Sequence, residues 1–118
     1  MSEAQTVSVA GTARNLTAFQ KNILVVLSRE PMYGLAIKRE LEDYYGEEVN
    51  HGRLYPNLDD LVNKGLVEKS ELDKRTNQYA LTEDGVDAVV DGLQWAISKF
   101  VTDEDRATLV SDLVDEQL

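Results

Sequence analysis

Arg53 is the residue of this chain best equipped to read a nucleic-acid base. Its guanidinium is a rigid fork of donors that can span O6 and N7 of guanine, a contact worth about 1–3 kcal/mol of discrimination between bases. Asn50, His51 and Gly52 precede it and Tyr55 follows. An amide or imidazole can bond a base edge or a phosphate, and a phenol hydroxyl can meet a phosphate. His51 equally suits a solvated or capping position, and Tyr55 a place partly buried against a hairpin. Further on come Lys69, Lys74, Arg75, Thr76 and Asn77, a basic and polar set suited to phosphate oxygens or the minor groove.

Other chemistries find little support. Cysteine is absent from the 118 residues and His51 is the single histidine, so disulfides, thiolate zinc sites and histidine metal clusters are excluded. No Gly-rich phosphate loop or nucleophile elbow occurs. Neither a catalytic residue, a metal nor a cofactor is therefore expected. An oxidant response would have to be indirect or act through Met32. The chain has no long apolar run, and residues 1–13 lack a signal-peptide pattern, so no membrane partner and a cytoplasmic location are expected.

The net charge of −10 counts against a polyanionic partner until its distribution is followed. Residues 14–81 carry 10 basic and 11 acidic side chains, whereas residues 82–118 carry 2 and 10. The stretch with the chemistry is near neutral, and the acid excess sits in the C-terminal arm. Those acids are scattered singly through amphipathic segments, which favours a surface kept soluble in concentrated salt over an acidic tail.

Helical periodicity positions these residues. Leu54, Leu58, Leu61 and Val62 stand at i, i+4, i+7 and i+8 and turn inward, leaving Gly52, Arg53, Pro56, Asp59, Asp60 and Asn63 outward. Asn50 is the expected N-cap and Gly65 the left-handed stop. Pro56 implies either a late start near Gly52 or a kink. A preceding helix carries Leu35, Ile37, Leu41 and Tyr45 and turns at Gly46. Before it, a first helix capped by Asn15 or Thr17 runs through Arg29 on Leu16, Phe19, Ile23, Val26 and Leu27, and stops at Pro31. Tyr33 and Leu35 are expected to fill the space between these two helices. After Gly65, two alternating stretches flank a turn-like 73–77 segment, which predicts a two-stranded hairpin.

The fold class expected is mainly α with a small β-hairpin: a winged helix-turn-helix over 14–82, a flexible N-terminal arm at 1–13, and C-terminal dimerisation helices over 83–118. Thr82 caps the first of those helices, in which Val86, Val90, Leu93, Ile97 and Phe100 follow at spacings of 4, 3, 4 and 3, a coiled-coil seam. Trp95 lies off it. Thr102 or Asp103 caps a last helix striped with Ala107, Val110, Leu113 and Val114, expected to fold back over the dimer core.

The runs PMYGLAIKREL, GRLYPNLDDLVNKGLVE and NQYALTEDG resemble, in order and spacing, the PadR-like family of winged-helix transcription regulators, and the acid-rich composition resembles haloarchaeal members. The resemblance implies a homodimer that binds double-stranded DNA, repression more often than activation, and a link to oxidative stress. Asp59 and Asp60 stand against this reading unless the helix enters the groove end-on or salt cations bridge them to phosphate. A winged-helix protein-interaction module is the alternative.

Overall fold

The computed structural model describes residues 14–73 and 76–118. The arm expected at 1–13 lies outside the described residues. Helix α1, Ala18–Leu27, opens on a full capping box in which the Thr17 hydroxyl accepts from the Gln20 amide and the Gln20 side chain accepts from the Thr17 amide. It ends two residues short of the expected Arg29, where the Ser28 amide turns back to the Val25 carbonyl and its hydroxyl to that of Leu24.

Strand β1, Met32–Tyr33, follows Pro31 and was not expected. It pairs antiparallel with a later strand through Met32 and Tyr79 and through Tyr33 and Gln78, so the sheet has three strands rather than two. Helix α2, Gly34–Tyr45, closes at Gly46 with φ 71°. Ile37 and Leu41 are buried, but Leu35 is 48% exposed and Tyr33 44%, which overturns their expected role as filler. Two residues along a helix turn a side chain through about 200°, so Leu35 stands opposite Ile37.

Helix α3, His51–Asn63, starts at its Asn50 cap and runs through Pro56 as one element. It buries Leu54, Leu58 and Leu61 completely. Its end is a Schellman motif: Gly65 has φ 78°, the Gly65 amide bonds the Val62 carbonyl, and the Leu66 amide bonds that of Leu61. Strands β2, Val67–Asp73, and β3, Thr76–Leu81, then pair antiparallel, with an irregularity between Glu71 and Asp73. The sheet order is β1-β3-β2.

Helix α4, Glu83–Phe100, is capped by Thr82, whose hydroxyl accepts from the Gly85 amide and donates to the Gly65 carbonyl. The Thr82 amide reaches the Leu66 carbonyl. Gly85 lies so close to the chain after α3 that a Cβ there would stand 2.1 Å from the Leu66 carbonyl oxygen. Helix α5, Glu104–Glu116, starts on an Asp103 cap. No residue of α5 is buried, and Arg106 at its start lies over the Phe100 ring and donates to the Phe100 carbonyl at 3.1 Å. The core gathers Leu16, Phe19, Ile23, Leu24 and Leu27 with Ile37, Leu41, Val49, the three α3 leucines, Leu66, Val67, Tyr79 and Ala88.

Candidate nucleic-acid interface

The amino end of α3 stands in solvent while its leucine stripe is buried, and His51, Gly52 and Arg53 are all exposed. The Asn50 side-chain oxygen accepts from the Gly52 amide at 2.6 Å, so this residue fixes the start of the helix. The His51 and Tyr55 rings stack at 5.5 Å with planes 7° apart. Tyr55 is half-buried across the first turn of α2, where a Cβ on Gly34 would come within 2.5 Å of its hydroxyl. A side chain at position 34 would have to displace the Tyr55 ring from this place.

The other flank of α3 faces α1. The Arg53 guanidinium sits 3.9 Å from the centroid of the Phe19 ring. Buried Gln20 donates through its amide nitrogen to Asn57 at 3.0 Å and to Asp60 at 2.8 Å. The Asn57 amide donates in turn to the Arg53 carbonyl at 2.7 Å. Asp60 also pairs with Lys64 one turn on. The hydrogen bond from Lys64 and then that from Gln20 hold its carboxyl below the usual aspartate range. Asp60 is thus half-buried and matched on the α1 flank rather than outward, and Asp59 alone of the pair is exposed.

Of the hairpin residues, Lys69 is exposed on β2 directly opposite Tyr79 on β3. Paired residues leave a sheet on the same face, so Lys69 shares the face that carries Tyr79 into the core. Burial first, and then the charge of Asp59, push the Tyr79 hydroxyl up. Thr76 and Asn77 are half-buried within β3, opposite Asp73 and Glu71, and so belong to the strand rather than to the turn expected there. The ladder runs closer to the tip than composition suggests. Lys74 and Arg75 lie outside the described residues.

Helix α4 has two apolar faces. Gly85 and Ala88 are buried against the subunit. Val86, Val90, Leu93, Ile97 and Phe100 are between 43 and 57% exposed, although Leu93 also borders the groove against α1 and Phe100 carries the Arg106 guanidinium 4.9 Å from its ring centroid. Trp95, 62% exposed, helps line an open groove of about 830 Å³ between α1 and α4, with Leu16, Leu24, Ala88 and Val89 on its walls. Arg14 and Asp91 pair at 3.4 Å beside this groove. The described residues hold no group of acidic or histidine side chains placed to bind a metal ion, and no helix long and apolar enough to cross a membrane.

Phe19, Gln20, Asn57 and Gly34 support this surface although the sequence does not single them out. Each acts through a partner distant in the chain. The one local signal is the Thr17–Gln20 spacing of a capping box, which marks Gln20 as a helix start and says nothing of its bonds to α3.

Three packed helices followed by a hairpin, with the third helix exposing its amino end beside the strands, define a winged helix-turn-helix. The pattern of the transcriptional regulator PadR-like family matches residues 23–90, more than half of the chain, and the chain belongs to that family. Among solved structures it is similar to the complex structure of hsRosR-S1, at 75% identity over 89% of this chain and 94% of that one, with a TM-score of 0.87. It is likewise similar to H. salinarum RosR grown from NaBr, at 75% identity over 89% and 96% of the two chains and a TM-score of 0.87. A PadR-like transcription factor from Bacteroides fragilis shares the fold at 23% identity, covering 85% and 89%, with a TM-score of 0.57. The transcriptional activator GvpE of Haloferax mediterranei is 26% identical over 80 residues, which are 68% of this chain and 40% of that protein. The chain therefore spans well under two thirds of that relative's length.

Proposed function

We propose that this PadR-like regulator binds duplex DNA sequence-specifically as a homodimer, with the amino end of α3 in the major groove and the hairpin on the adjoining backbone. The observation that carries this reading is α3 itself, anchored by three fully buried leucines while His51, Gly52 and Arg53 stand in solvent. A recognition helix meets base edges with its amino-terminal residues. Asn50, His51, Gly52, Arg53 and Tyr55 form the contact surface there. Lys69, Lys74, Arg75, Thr76 and Asn77 supply the hairpin's contacts.

Charge supports the placement. Residues 14–81 hold 10 basic and 11 acidic side chains against a whole-chain charge of −10, so the reading head is spared most of the repulsion. Within that balance, Lys64 pairs with Asp60 on α3 itself. Exposed Asp59 points away from the buried face of α3, where a salt cation between it and the DNA would offset its charge. The homodimer rests on the outward face of α4, whose five seam residues would otherwise keep large apolar side chains in water. Two-fold pairing matches the symmetry of palindromic operators.

Repression and an oxidative-stress link are carried from the family resemblance. A promoter fusion in a deletion strain, with and without peroxide, tests both: output that falls on deletion replaces repression with activation, and no change under peroxide removes the stress link. DNA binding itself is tested by selecting duplexes from a randomised pool in molar potassium chloride. Enrichment of a palindromic motif is the expected result. No enrichment at any salt concentration sinks the reading in favour of a protein-interaction module.

A further inference from the structure

We propose that Phe19 is a positioning residue for DNA, its ring holding the Arg53 guanidinium on the α1 flank of α3, where Arg53 grips a backbone phosphate instead of reading a guanine. The inference deepens the DNA-binding reading above and rests on it.

Direction is the first reason. With about 100° per residue, Gly52, Pro56, Asp59 and Asn63 point directly away from the buried Leu54, Leu58 and Leu61. Arg53 shares a flank with Asn57, Asp60 and Lys64, and on that flank Asn57 and Asp60 bond α1 through Gln20. For a helix lying in the major groove, residues pointing straight out meet the base edges and those on the flanks meet the backbone.

Fixity is the second reason. The guanidinium lies 3.9 Å from the Phe19 centroid, well inside cation–π range. Phe19 is itself buried, and its ring stacks on Tyr45 at 6.1 Å with planes 21° apart. The Tyr45 hydroxyl accepts from the Asn22 amide at 2.8 Å, so the platform cannot retreat. The Arg53 backbone is tied to the same helix through Asn57 and Gln20. Both ends of the residue are thus anchored on α1. To span O6 and N7 of a base the side chain must leave its ring, whereas a phosphate can take the same donors without moving it.

The test compares two duplexes: one selected by the wild-type protein from a randomised pool, and one of unselected sequence. Arg53→Gln is expected to weaken both by the same factor and to reduce the slope of log affinity against log salt by about 0.9, one phosphate contact. Phe19→Leu should reproduce part of that loss, and Phe19→Tyr, which keeps the π face, should restore wild-type binding. In the Phe19→Leu background, Arg53→Gln should cost less than it does in the wild type. A change of preference at one base pair with an unchanged slope overturns the assignment. So does a folded Phe19→Leu protein that binds normally and keeps the full Arg53 effect. Where Phe19→Leu fails to fold, Arg53→Lys decides: a phosphate contact keeps the slope and the base preference, and a guanine fork loses the preference. Failure of the wild type to bind any duplex removes DNA binding itself and this role with it, a result distinct from all of these.

Discussion

Leu93 is the most exposed of the seam residues on α4, at 57%, and Leu93→Asp tests whether that seam joins two copies. Full burial of a leucine is worth about 1.5–3 kcal/mol. With 57% of the residue in water, covering that exposed part contributes about 1–2 kcal/mol per subunit, or about 2–4 kcal/mol for a symmetric pair. That corresponds to roughly 30- to 700-fold in the dissociation constant, before the added cost of two carboxylates placed in an apolar contact. The subunit itself should lose less, because Leu93, which borders the groove between α1 and α4, has under half of its surface covered within one chain. Sedimentation velocity over a concentration series in molar potassium chloride should therefore show a wild-type dimer and a folded Leu93→Asp monomer with unchanged circular dichroism. A variant dimer as tight as the wild type would refute the reasoning, and so would a wild type that stays monomeric throughout.

Three further outcomes are expected. Gly85→Ala should lower stability by about 1–3 kcal/mol, read as a lower melting temperature, because the added carbon would meet the Leu66 carbonyl oxygen at 2.1 Å; Gly92→Ala, with nothing within 4 Å, should raise stability by about 1 kcal/mol. The Glu42 carboxylate accepts from Lys38 Nζ at 2.8 Å and from the Val49 amide at 2.9 Å, and these bonds hold its pKa below the ordinary value. Its contribution is then fully present above the unfolded-state pKa and lost as pH falls through the lower native one. Denaturant titrations should accordingly show Glu42→Gln less stable than wild type near neutrality, with the gap closing on acidification. Lys74→Ala with Arg75→Ala should weaken selected and unselected duplexes alike and cut the salt slope by about 2, and a sequence-selective loss would reassign the hairpin to base reading.

The legible parts of this fold are those whose signal is periodic and local. The i, i+4, i+7 spacing of Leu54, Leu58 and Leu61 announces a buried stripe, and all three are fully buried. Glycines at 46 and 65 mark their helix ends because both take positive φ. Strand β1 leaves no local signal, because two residues are too few to show alternation and its partner Tyr79 lies far along the chain. Leu35 lies outside the buried stripe because it stands two residues before Ile37, a turn of about 200°, and hydrophobicity alone does not distinguish it from Ile37 and Leu41. Within the candidate site, the exposure of Gly52 and Arg53 follows from helix phase, and that of His51 from its place at the first position of the helix. The stack of Arg53 on Phe19 and the bridge from Gln20 to Asn57 and Asp60 are tertiary contacts with no local pattern. Asp60 shows the cost of that blindness: phase places it near the outward side, and only its bonds to Lys64 and Gln20 reveal a matched charge.

Thr82 clasps the end of α3 to the start of α4 through the Gly65 and Leu66 carbonyls, and Gly85 lets the two elements touch backbone to backbone. A joint with so little slack makes an 18-residue helix, about 27 Å long, into a lever. Tilting it by roughly 10° swings its far end by about 5 Å. In a two-fold pair the same tilt, run in reverse, would open or narrow the gap between reading ends like the jaws of a calliper, and repacking the shaft would then reset the gauge of operator that such a pair fits.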